Sequence, residues 1–201
     1  MNKVSNPQFW NERYLENNTK WDLGSSTPIL VNYLKIKNSI GKVCVLGCGN
    51  GHDALEFSKY KNEVYSVDFS TEALKNLKDK SEDKNLKIHL INQDIFVLPD
   101  LYKNYFDMIY EYTCYCAIDP NRREEYFEMV HAILKKGGLF FGIMIPLDKE
   151  MYNEKGPPFG VSINQVLTLI SGKFEVVSNN FSEFSIEARK EREKVVILKK
   201  I

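Results

Sequence analysis

The sequence lacks an excess of either charge. Lys and Arg together number 27, as do Asp and Glu, so the formal net charge is zero. A protein dedicated to nucleic acid usually carries a basic stripe, and this balance argues against one. Long hydrophobic runs are also missing: the longest covers residues 139–145, far short of the ~20 residues that a membrane span needs. We therefore expect a small-molecule partner, with no nucleic acid and no membrane.

Cysteine is scarce, and the cysteines present form no recognisable framework. Cys44, Cys48, Cys114 and Cys116 contain no C-x-x-C pair, and their spacing does not match a zinc site. A small secreted protein stabilised by disulfides would carry a denser pattern. We expect free thiols in a reducing compartment and no bound metal. The first residues also lack the apolar core of a signal peptide, so we expect a cytoplasmic protein.

The length of 201 residues limits the number of domains. With 43% hydrophobic residues, the chain can form one domain with a full core and is too short for two comfortable ones. We predict a single domain over residues 1–201. A monomer is the expected state, because this neutral chain has no spare apolar helix.

A glycine-rich stretch organises the rest of the chain. A short apolar run ends in Gly47, Gly49 and Gly51, and an amphipathic helix follows from His52. Glycines let a ligand lie against bare backbone, and the free N–H groups of the helix start then face that ligand. The dinucleotide fingerprint G-x-G-x-x-G fails here because His52 takes its sixth position. The form G-x-G-x-G is instead typical of S-adenosylmethionine-dependent methyltransferases with a doubly wound sheet.

Acidic residues follow the next two predicted strands. Residues 63–68 alternate in hydrophobicity and end in Asp68, about where an acid accepts the two ribose hydroxyls of a nucleoside. A third strand over residues 86–91 is followed by Asp94 and Ile95. Asp94 is placed to accept the exocyclic amine of an adenine, with Ile95 covering the ring. The alternatives are a loop that binds nothing and, at Asp94, a plain turn acid.

The N-terminal segment is rich in aromatic residues. Asn6 and Pro7 are typical of a helix start, and Trp10 and Tyr14 are four residues apart on one face of that helix. Trp21 follows in a loop. We interpret residues 1–40 as an N-terminal helical lid whose aromatic faces lie near a sulfonium cation. The alternative is a strap that only packs against the core.

The second half of the chain predicts further strands and helices. A fourth strand covers residues 105–112, and the only evident candidates for a general base near its end are Glu111 and Asp119. Residues 135–138 are expected to close a helix, and residues 139–145 read as a strand buried on both faces. We interpret the mixed-sign run 189–194 as a solvated loop edge. The whole pattern predicts an α/β protein with a doubly wound, mostly parallel seven-stranded sheet.

Five stretches of the sequence together resemble a known family. These stretches cover residues 9–14, 21–24, 46–53, 112–122 and 156–159. They resemble the thiopurine S-methyltransferase family, most closely its halide and thiol methyltransferase branch, from about residue 9 to about residue 165. The resemblance implies a Rossmann-like class I methyltransferase fold with S-adenosyl-L-methionine as cofactor. Together with the glycine turn, the expected cofactor contacts are Trp10, Tyr14, Trp21, Gly47, Gly49, Asp68, Asp94, Ile95 and Tyr112. We expect the substrate pocket to be walled by Tyr115, Cys116, Pro158 and Phe159, beside Trp10, Trp21 and Tyr112.

The expected reaction is methyl transfer to a small soft nucleophile: a thiol, hydrosulfide, thiocyanate or halide. Such acceptors are anionic or become so easily, so their site needs positioning and exclusion of water more than a general base. One alternative is an O- or N-methyltransferase that uses Glu111 or Asp119 as its base. Another is a protein that binds the cofactor without turnover.

Overall fold

Seven strands form one sheet in the computed structural model, which describes residues 3–151 and 156–201. The strands are β1 (Lys42–Leu46), β2 (Glu63–Asp68), β3 (Ile88–Asn92), β4 (Phe106–Tyr112), β5 (Leu134–Met144), β6 (Phe174–Asn180) and β7 (Lys194–Lys200). Their order is β3-β2-β1-β4-β5-β7-β6. Strands β1 to β5 pair in parallel, and β7 runs antiparallel to both β5 and β6. The predicted doubly wound, mostly parallel sheet is confirmed.

Helices cover both faces of this sheet. They are α1 (Pro7–Leu15), α2 (Pro28–Ile36), α3 (His52–Ser58), α4 (Thr71–Asp83), α5 (Leu98–Leu101), α6 (Arg123–Ile133) and α7 (Ile163–Leu169). Three of them begin at the side-chain caps that the sequence indicates: the side chains of Asn6, Ser70 and Ser162 each accept a backbone N–H of the first turn. Each cap satisfies a donor that the helix itself leaves unpaired.

Successive residues of the central strands face two separate cores. Phe140 and Phe141 of β5 are at most 1% exposed, yet they belong to different hydrophobic clusters on opposite faces of the sheet. Phe127 of α6 packs in the first cluster, and Leu30 of α2 packs in the second. Burial on both faces explains why residues 139–145 are apolar without alternation.

The prediction that residues 135–138 close a helix is wrong. Helix α6 already ends at Ile133, and β5 begins at Leu134. Two contacts hold this stretch in the sheet: Leu134 pairs with Phe106, and the Lys135 ammonium lies 2.6 Å from the Asp107 carboxylate. The Lys-Lys-Gly-Gly composition is typical of a helix end, but these tertiary contacts outweigh that local preference.

The order in which strands are added to the sheet reverses between β1 and β4. From β1 the strands proceed through β2 to β3 at one edge, whereas β4 and β5 lie on the other side of β1. Leu46 pairs with Glu111, so the two central strands end side by side. Ligands of open α/β sheets bind in the crevice beyond the carboxyl ends of the strands at such a switch point. The loops that follow β1 and β4 therefore form the expected site.

Candidate functional site

The turn after β1 needs glycine for both conformation and space. Gly47, Gly49 and Gly51 have φ of +55°, +52° and +74°, in the left-handed region that other residues rarely adopt. A Cβ at Gly47 would lie 2.8 Å from the Cys114 Sγ, and one at Gly49 would lie 2.8 Å from the Tyr14 Oη. The turn is thus pressed between the loop after β4 and helix α1. Its bare backbone forms one wall of the site.

The Asp68 carboxylate fixes the next turn beside this wall. Its Oδ2 accepts the Gly49 N–H and its Oδ1 accepts the Ser70 N–H, both at 2.9 Å. Burial raises the pKa of Asp68 to about 6, although these hydrogen bonds lower it. A carboxylate has about four lone-pair sites, so Asp68 retains capacity to accept hydroxyl groups of a ligand.

A cavity of about 610 Å³ opens at the carboxyl ends of the strands. Its size suits a cofactor-sized ligand. Most of the residues predicted to bind cofactor or acceptor line it: Trp10, Tyr14, Trp21, Gly47, Asp68, Asp94, Ile95, Cys116, Asp119 and Pro158. These residues come from the N-terminal segment and from the loops after β1, β2, β3, β4 and β5. The fold therefore brings together residues that are far apart in sequence.

Five predicted site residues lie elsewhere: Gly49, Glu111, Tyr112, Tyr115 and Phe159 do not line the cavity. The Tyr115 ring is 1% exposed and packs in the apolar core, with its centroid 5.1 Å from that of Tyr126. Phe159 is 5% exposed, and its N–H donates to the Cys116 carbonyl. Tyr115 and Phe159 are therefore supports of the wall, and their neighbours Cys116 and Pro158 form its surface.

Aromatic rings of the N-terminal segment form one side of the cavity. The Trp21 ring lies edge-to-face with Trp10, at a centroid distance of 5.5 Å, and with Tyr14, at 5.8 Å. The Trp10 Nε1–H donates to the Val4 carbonyl at 2.9 Å. Burial raises the pKa of Tyr14, so its phenol stays neutral. A neutral aromatic wall of this kind attracts a cation.

Polar contacts attach this segment to the start of α3. The Asp22 carboxylate accepts from the Asn50 amide and lies 3.1 Å from the His52 Nε2, and the Thr27 N–H donates to Asp53 at 2.8 Å. Burial alone would raise the pKa of Asp22, but the hydrogen bonds from His52 and Asn50 hold it well below its usual range. His52 thus anchors the segment beside the glycine turn.

Arg189 is a cavity residue that the sequence reading missed. Its Nη2–H donates to the Trp21 carbonyl at 2.7 Å, and its guanidinium carbon lies 4.9 Å from the centre of the Tyr112 ring. The Nη1 is buried and has no hydrogen-bond partner within the described residues. Nearby, Glu193 is 1% exposed and accepts the Tyr112 hydroxyl at 2.9 Å. The interpretation of residues 189–194 as a solvated loop edge is therefore wrong for Arg189 and Glu193.

The antiparallel direction of β7 explains this placement. Met144 at the carboxyl end of β5 pairs with Lys194 at the start of β7. Residues just before β7 therefore lie at the same sheet edge as the loops after the parallel strands. The mixed-sign charges of residues 189–194 do not indicate the direction of the following strand. The position of Arg189 therefore follows only from the antiparallel direction of β7.

The described residues that line the cavity carry charges of both signs. The cationic side chains are those of Arg13, Lys20, Arg122, Arg189 and Arg192, and the acidic ones are those of Asp68, Asp94 and Asp119. Arg122 and Arg192 are largely neutralised, because Arg122 lies 2.7 Å from Glu125 and Arg192 lies 2.7 Å from Asp148. Since Asp68 and Asp94 lie on the β2 and β3 side, the region near Arg189 is suited to an anion.

All four cysteines, Cys44, Cys48, Cys114 and Cys116, are free thiols. Within residues 3–151 and 156–201, no group of three or more His, Cys, Asp or Glu residues is arranged to hold a metal ion. Over the same ranges, no helix has the length and apolar character to cross a membrane.

The sheet order, the glycine turn and the acid at the end of β2 define a class I S-adenosylmethionine-dependent methyltransferase. The chain belongs to the thiopurine S-methyltransferase family, whose sequence profile matches residues 5–200. Both the family and the cofactor, S-adenosyl-L-methionine, are as expected from the sequence motifs.

Several known proteins are similar to this chain. The probable thiol methyltransferase 2 of Arabidopsis thaliana is 30% identical over 190 residues, which cover 92% of this chain and 82% of that protein. Thiocyanate methyltransferase 1 of Brassica oleracea is 29% identical over 196 residues, or 96% of this chain and 84% of that protein. The solved 1,6-didemethyltoxoflavin-N1-methyltransferase of Burkholderia thailandensis is 14% identical, covers 96% of this chain and 86% of its own, and superposes with a TM-score of 0.78. The last likeness concerns the fold alone.

Proposed function

We propose that this methyltransferase transfers a methyl group to a small soft nucleophile: a thiol, hydrosulfide, thiocyanate or halide. One observation carries the proposal. Arg189 lines the cavity and presents a buried Nη1 with no hydrogen-bond partner among the described residues. Such a group stabilises an anionic acceptor directly. The names of the plant relatives, thiocyanate and thiol methyltransferases, support the same choice.

The residues present fit S-adenosylmethionine. We propose that Asp68 accepts the two ribose hydroxyls through its remaining acceptor capacity, since Asp68 and Gly47 both line the cavity. Asp94 is assigned the exocyclic amine of the adenine, and the buried Ile95 covers the ring. The bound cofactor supplies an electrophilic methyl group on a sulfonium centre. The neutral rings of Trp10 and Trp21 offer that positive centre a favourable wall.

The N-terminal segment, residues 1–40, is proposed as a lid over this site. Its described part contributes Trp10, Tyr14 and Trp21 to the cavity wall. The Trp21 carbonyl is joined to Arg189, so the same guanidinium contacts both the lid and the space for the acceptor. Closing the cavity excludes water, which strengthens the interaction between a charged acceptor and the protein.

Neither candidate base is placed as a base should be. Glu111 is 1% exposed and does not line the cavity, and its Oε2 accepts the backbone N–H groups of Cys114 and Tyr115. Asp119 does line the cavity, but its Oδ1 already accepts the backbone and side-chain N–H groups of Asn121. Because both carboxylates already accept hydrogen bonds from the protein, these contacts support an acceptor that arrives as an anion. They disfavour the O- or N-methyltransferase alternative.

The proposal is tested by replacing the guanidinium. In Arg189→Met we expect the KM for a thiol acceptor to rise by about 10- to 100-fold, because a hydrogen bond to a charged group is lost. Arg189→Lys should lie between this variant and the wild type, since it keeps the charge. Lys190→Met is the matched control, because the neighbouring Lys190 is exposed and paired with Glu187 outside the cavity. An unchanged KM in Arg189→Met would contradict the assigned anion contact.

The pH dependence of kcat/KM separates the two reaction classes. Two thiols with different pKa values should give profiles whose midpoints follow the thiol, because the thiolate itself binds. A midpoint that stays the same for both thiols would assign the proton transfer to the protein.

A further inference from the structure

The turn that follows β4 is conformationally strained. Thr113 has a φ of +66°, in the left-handed region that a β-branched residue rarely adopts. Such strain persists only where surrounding contacts fix the backbone, and it concentrates at functional sites. Thr113 lines the cavity. Something in the structure must therefore hold this turn in place.

The Glu111 carboxylate supplies that hold. Its Oε2 accepts the Cys114 N–H at 3.1 Å and the Tyr115 N–H at 2.9 Å, so it clamps the two residues directly after Thr113. The side chain is 1% exposed, and water cannot replace these contacts. A buried acceptor that satisfies two backbone donors at once defines the path of the turn.

The clamped turn joins three walls of the cavity. Cys114 occupies the space that a Cβ at Gly47 would need, so it bears on the glycine turn. Cys116, two residues further, lines the cavity, and its carbonyl accepts the Phe159 N–H at 2.8 Å. Through this bond the turn also fixes the loop that carries Pro158 into the wall. A shift of the turn would thus displace both the cofactor cradle and the acceptor wall.

The charge of Glu111 is balanced inside the protein. Burial raises its pKa to about 7, and the nearby Arg123 lowers it. Arg123 is itself 1% exposed, and its guanidinium lies 4.6 Å from the centre of the Tyr115 ring. The two N–H groups need only an acceptor oxygen, which a protonated acid or an amide also provides. The clamp therefore depends on the oxygen more than on the charge.

We propose that Glu111 is a positioning residue for the methyl transfer: its carboxylate holds the Thr113 turn in its left-handed conformation and thereby sets the acceptor wall at Cys114 and Cys116. This inference rests on the proposed function, because it explains how the acceptor side of that same site is shaped. It also gives the buried acid a role other than that of a base.

Kinetics of three variants test the proposal. In Glu111→Ala we expect the KM for the acceptor to rise at least about tenfold and the cofactor Kd to rise by a smaller factor, because Asp68 still holds the glycine turn through the Gly49 N–H. Glu111→Gln should keep the acceptor KM within about threefold of the wild type, because its amide oxygen accepts the same N–H groups. Adding Thr113→Gly to Glu111→Ala should restore most of the lost affinity, since glycine adopts a positive φ without steric cost.

Several results would overturn the proposal. Loss of kcat in Glu111→Gln at an unchanged acceptor KM would make Glu111 a base, and no glycine at position 113 restores a lost base. A failure of Thr113→Gly to restore Glu111→Ala would show that the turn does not need the clamp. In either case, measurable cofactor binding shows that the variants are folded.

A measurement without turnover covers the case in which Glu111→Ala does not fold. In the wild type we expect the amide hydrogens of Cys114 and Tyr115 to exchange as slowly as those of β4, and Thr113→Gly alone should raise the melting temperature. Fast exchange at both amides would contradict the clamp. Hydrogen exchange also separates the two proposals. A wild type that methylates only phenols or amines would disprove the soft-nucleophile function, and slow exchange of the Cys114 and Tyr115 amides would still support the role of Glu111 in holding the turn.

Discussion

Asp68 has a structural role in the fold, and we propose a binding role for the same carboxylate. It joins the turn after β1 to the start of α4 through the N–H groups of Gly49 and Ser70. The proposed ribose contact adds two hydroxyl donors to the same group. A buried acceptor that serves several donors is difficult to replace, because each donor left unpaired carries its own desolvation penalty.

Asp68→Ala should therefore weaken cofactor binding. We expect a loss of roughly 2–3 kcal/mol, because two charge-assisted hydrogen bonds to ribose disappear. Isothermal titration with S-adenosylhomocysteine measures the change, and Asp68→Asn serves as a control that keeps the volume. Unchanged affinity in a folded Asp68→Ala variant would exclude the ribose contact.

The pH dependence of cofactor binding follows from the same group. The pKa of Asp68 in the free protein is raised to about 6 by burial, so the carboxyl is mostly charged at pH 8 and mostly protonated at pH 5. Ribose hydroxyls donate to the charged form, so affinity should be constant above about pH 7 and fall by several-fold between pH 7 and pH 5. Titrations at both pH values check this, and in Asp68→Asn the fall should vanish. A fall of equal size in Asp68→Asn would assign the effect to another group.

The sequence predicted the positions of some cavity residues and missed others for physical reasons. Asp68 and Asp94 follow parallel strands, and the carboxyl ends of such strands always share an edge, so their positions could be predicted. Arg189 precedes an antiparallel strand, and its position depends on a direction that local patterns do not encode. Tyr115 and Cys116 were both expected to wall the pocket, but of the two only Cys116 lines the cavity; the left-handed residue Thr113 that precedes them is not predicted by local propensity.

The Asn11 side chain of helix α1 is hydrogen-bonded to Ser70 at the start of α4. The Asn11 Oδ1 accepts the Ser70 hydroxyl at 2.7 Å, and the same Ser70 oxygen caps α4 by accepting the Ala73 N–H. The position of the proposed lid is thus coupled to the turn that Asp68 fixes.

Asn11→Ala should loosen this attachment without unfolding the core. We expect a several-fold rise in the cofactor KM, with a stability loss of only ~1 kcal/mol, because the part-buried hydrogen bond from Ser70 and two longer ones from Thr71 and Glu72 are removed. Steady-state kinetics and thermal melting measure the two quantities. Gln8→Ala is the control: Gln8 lies on the exposed side of α1, where it bonds to Glu12. An equal rise in KM in both variants would argue against a lid that acts through Asn11.

Element boundaries show where local sequence ceases to decide structure. The caps at Asn6, Ser70 and Ser162 were readable, because each is a side chain that bonds to the backbone two or three residues away. The start of β5 at Leu134 could not be predicted from the local sequence. It depends on pairing with Phe106 and on an ion pair to Asp107, both of which are contacts between distant parts of the chain.

Several buried acids make the stability of the whole molecule depend on pH. Burial raises the pKa of Asp53 and Asp68 from 3.8 to about 6, and that of Glu111 from 4.5 to about 7. Between the unfolded and folded values, the folded state binds more protons than the unfolded state. The free energy of unfolding therefore falls as pH rises from about 4 to about 7. Asp22 acts in the opposite direction below about pH 4, because its pKa is lowered in the folded state.

The cofactor-free protein should accordingly melt at a lower temperature at pH 8 than at pH 5.5. We expect a difference of several degrees, since 1 kcal/mol shifts the midpoint of a chain of this length by about 2–4 °C. Scanning calorimetry at the two pH values measures the difference, and Asp53→Asn should reduce it. A higher melting temperature at pH 8 would contradict the raised pKa values.

The central claim is that the cavity selects a soft anionic acceptor. The most direct measurement is S-adenosylhomocysteine production with hydrosulfide, small and aromatic thiols, thiocyanate, iodide, phenols and amines, each against a blank without acceptor. Turnover confined to the sulfur and halide acceptors is the predicted result. Turnover with phenols or amines alone would move the chemistry to Glu111 or Asp119, and no turnover with any acceptor would contradict the proposed reaction.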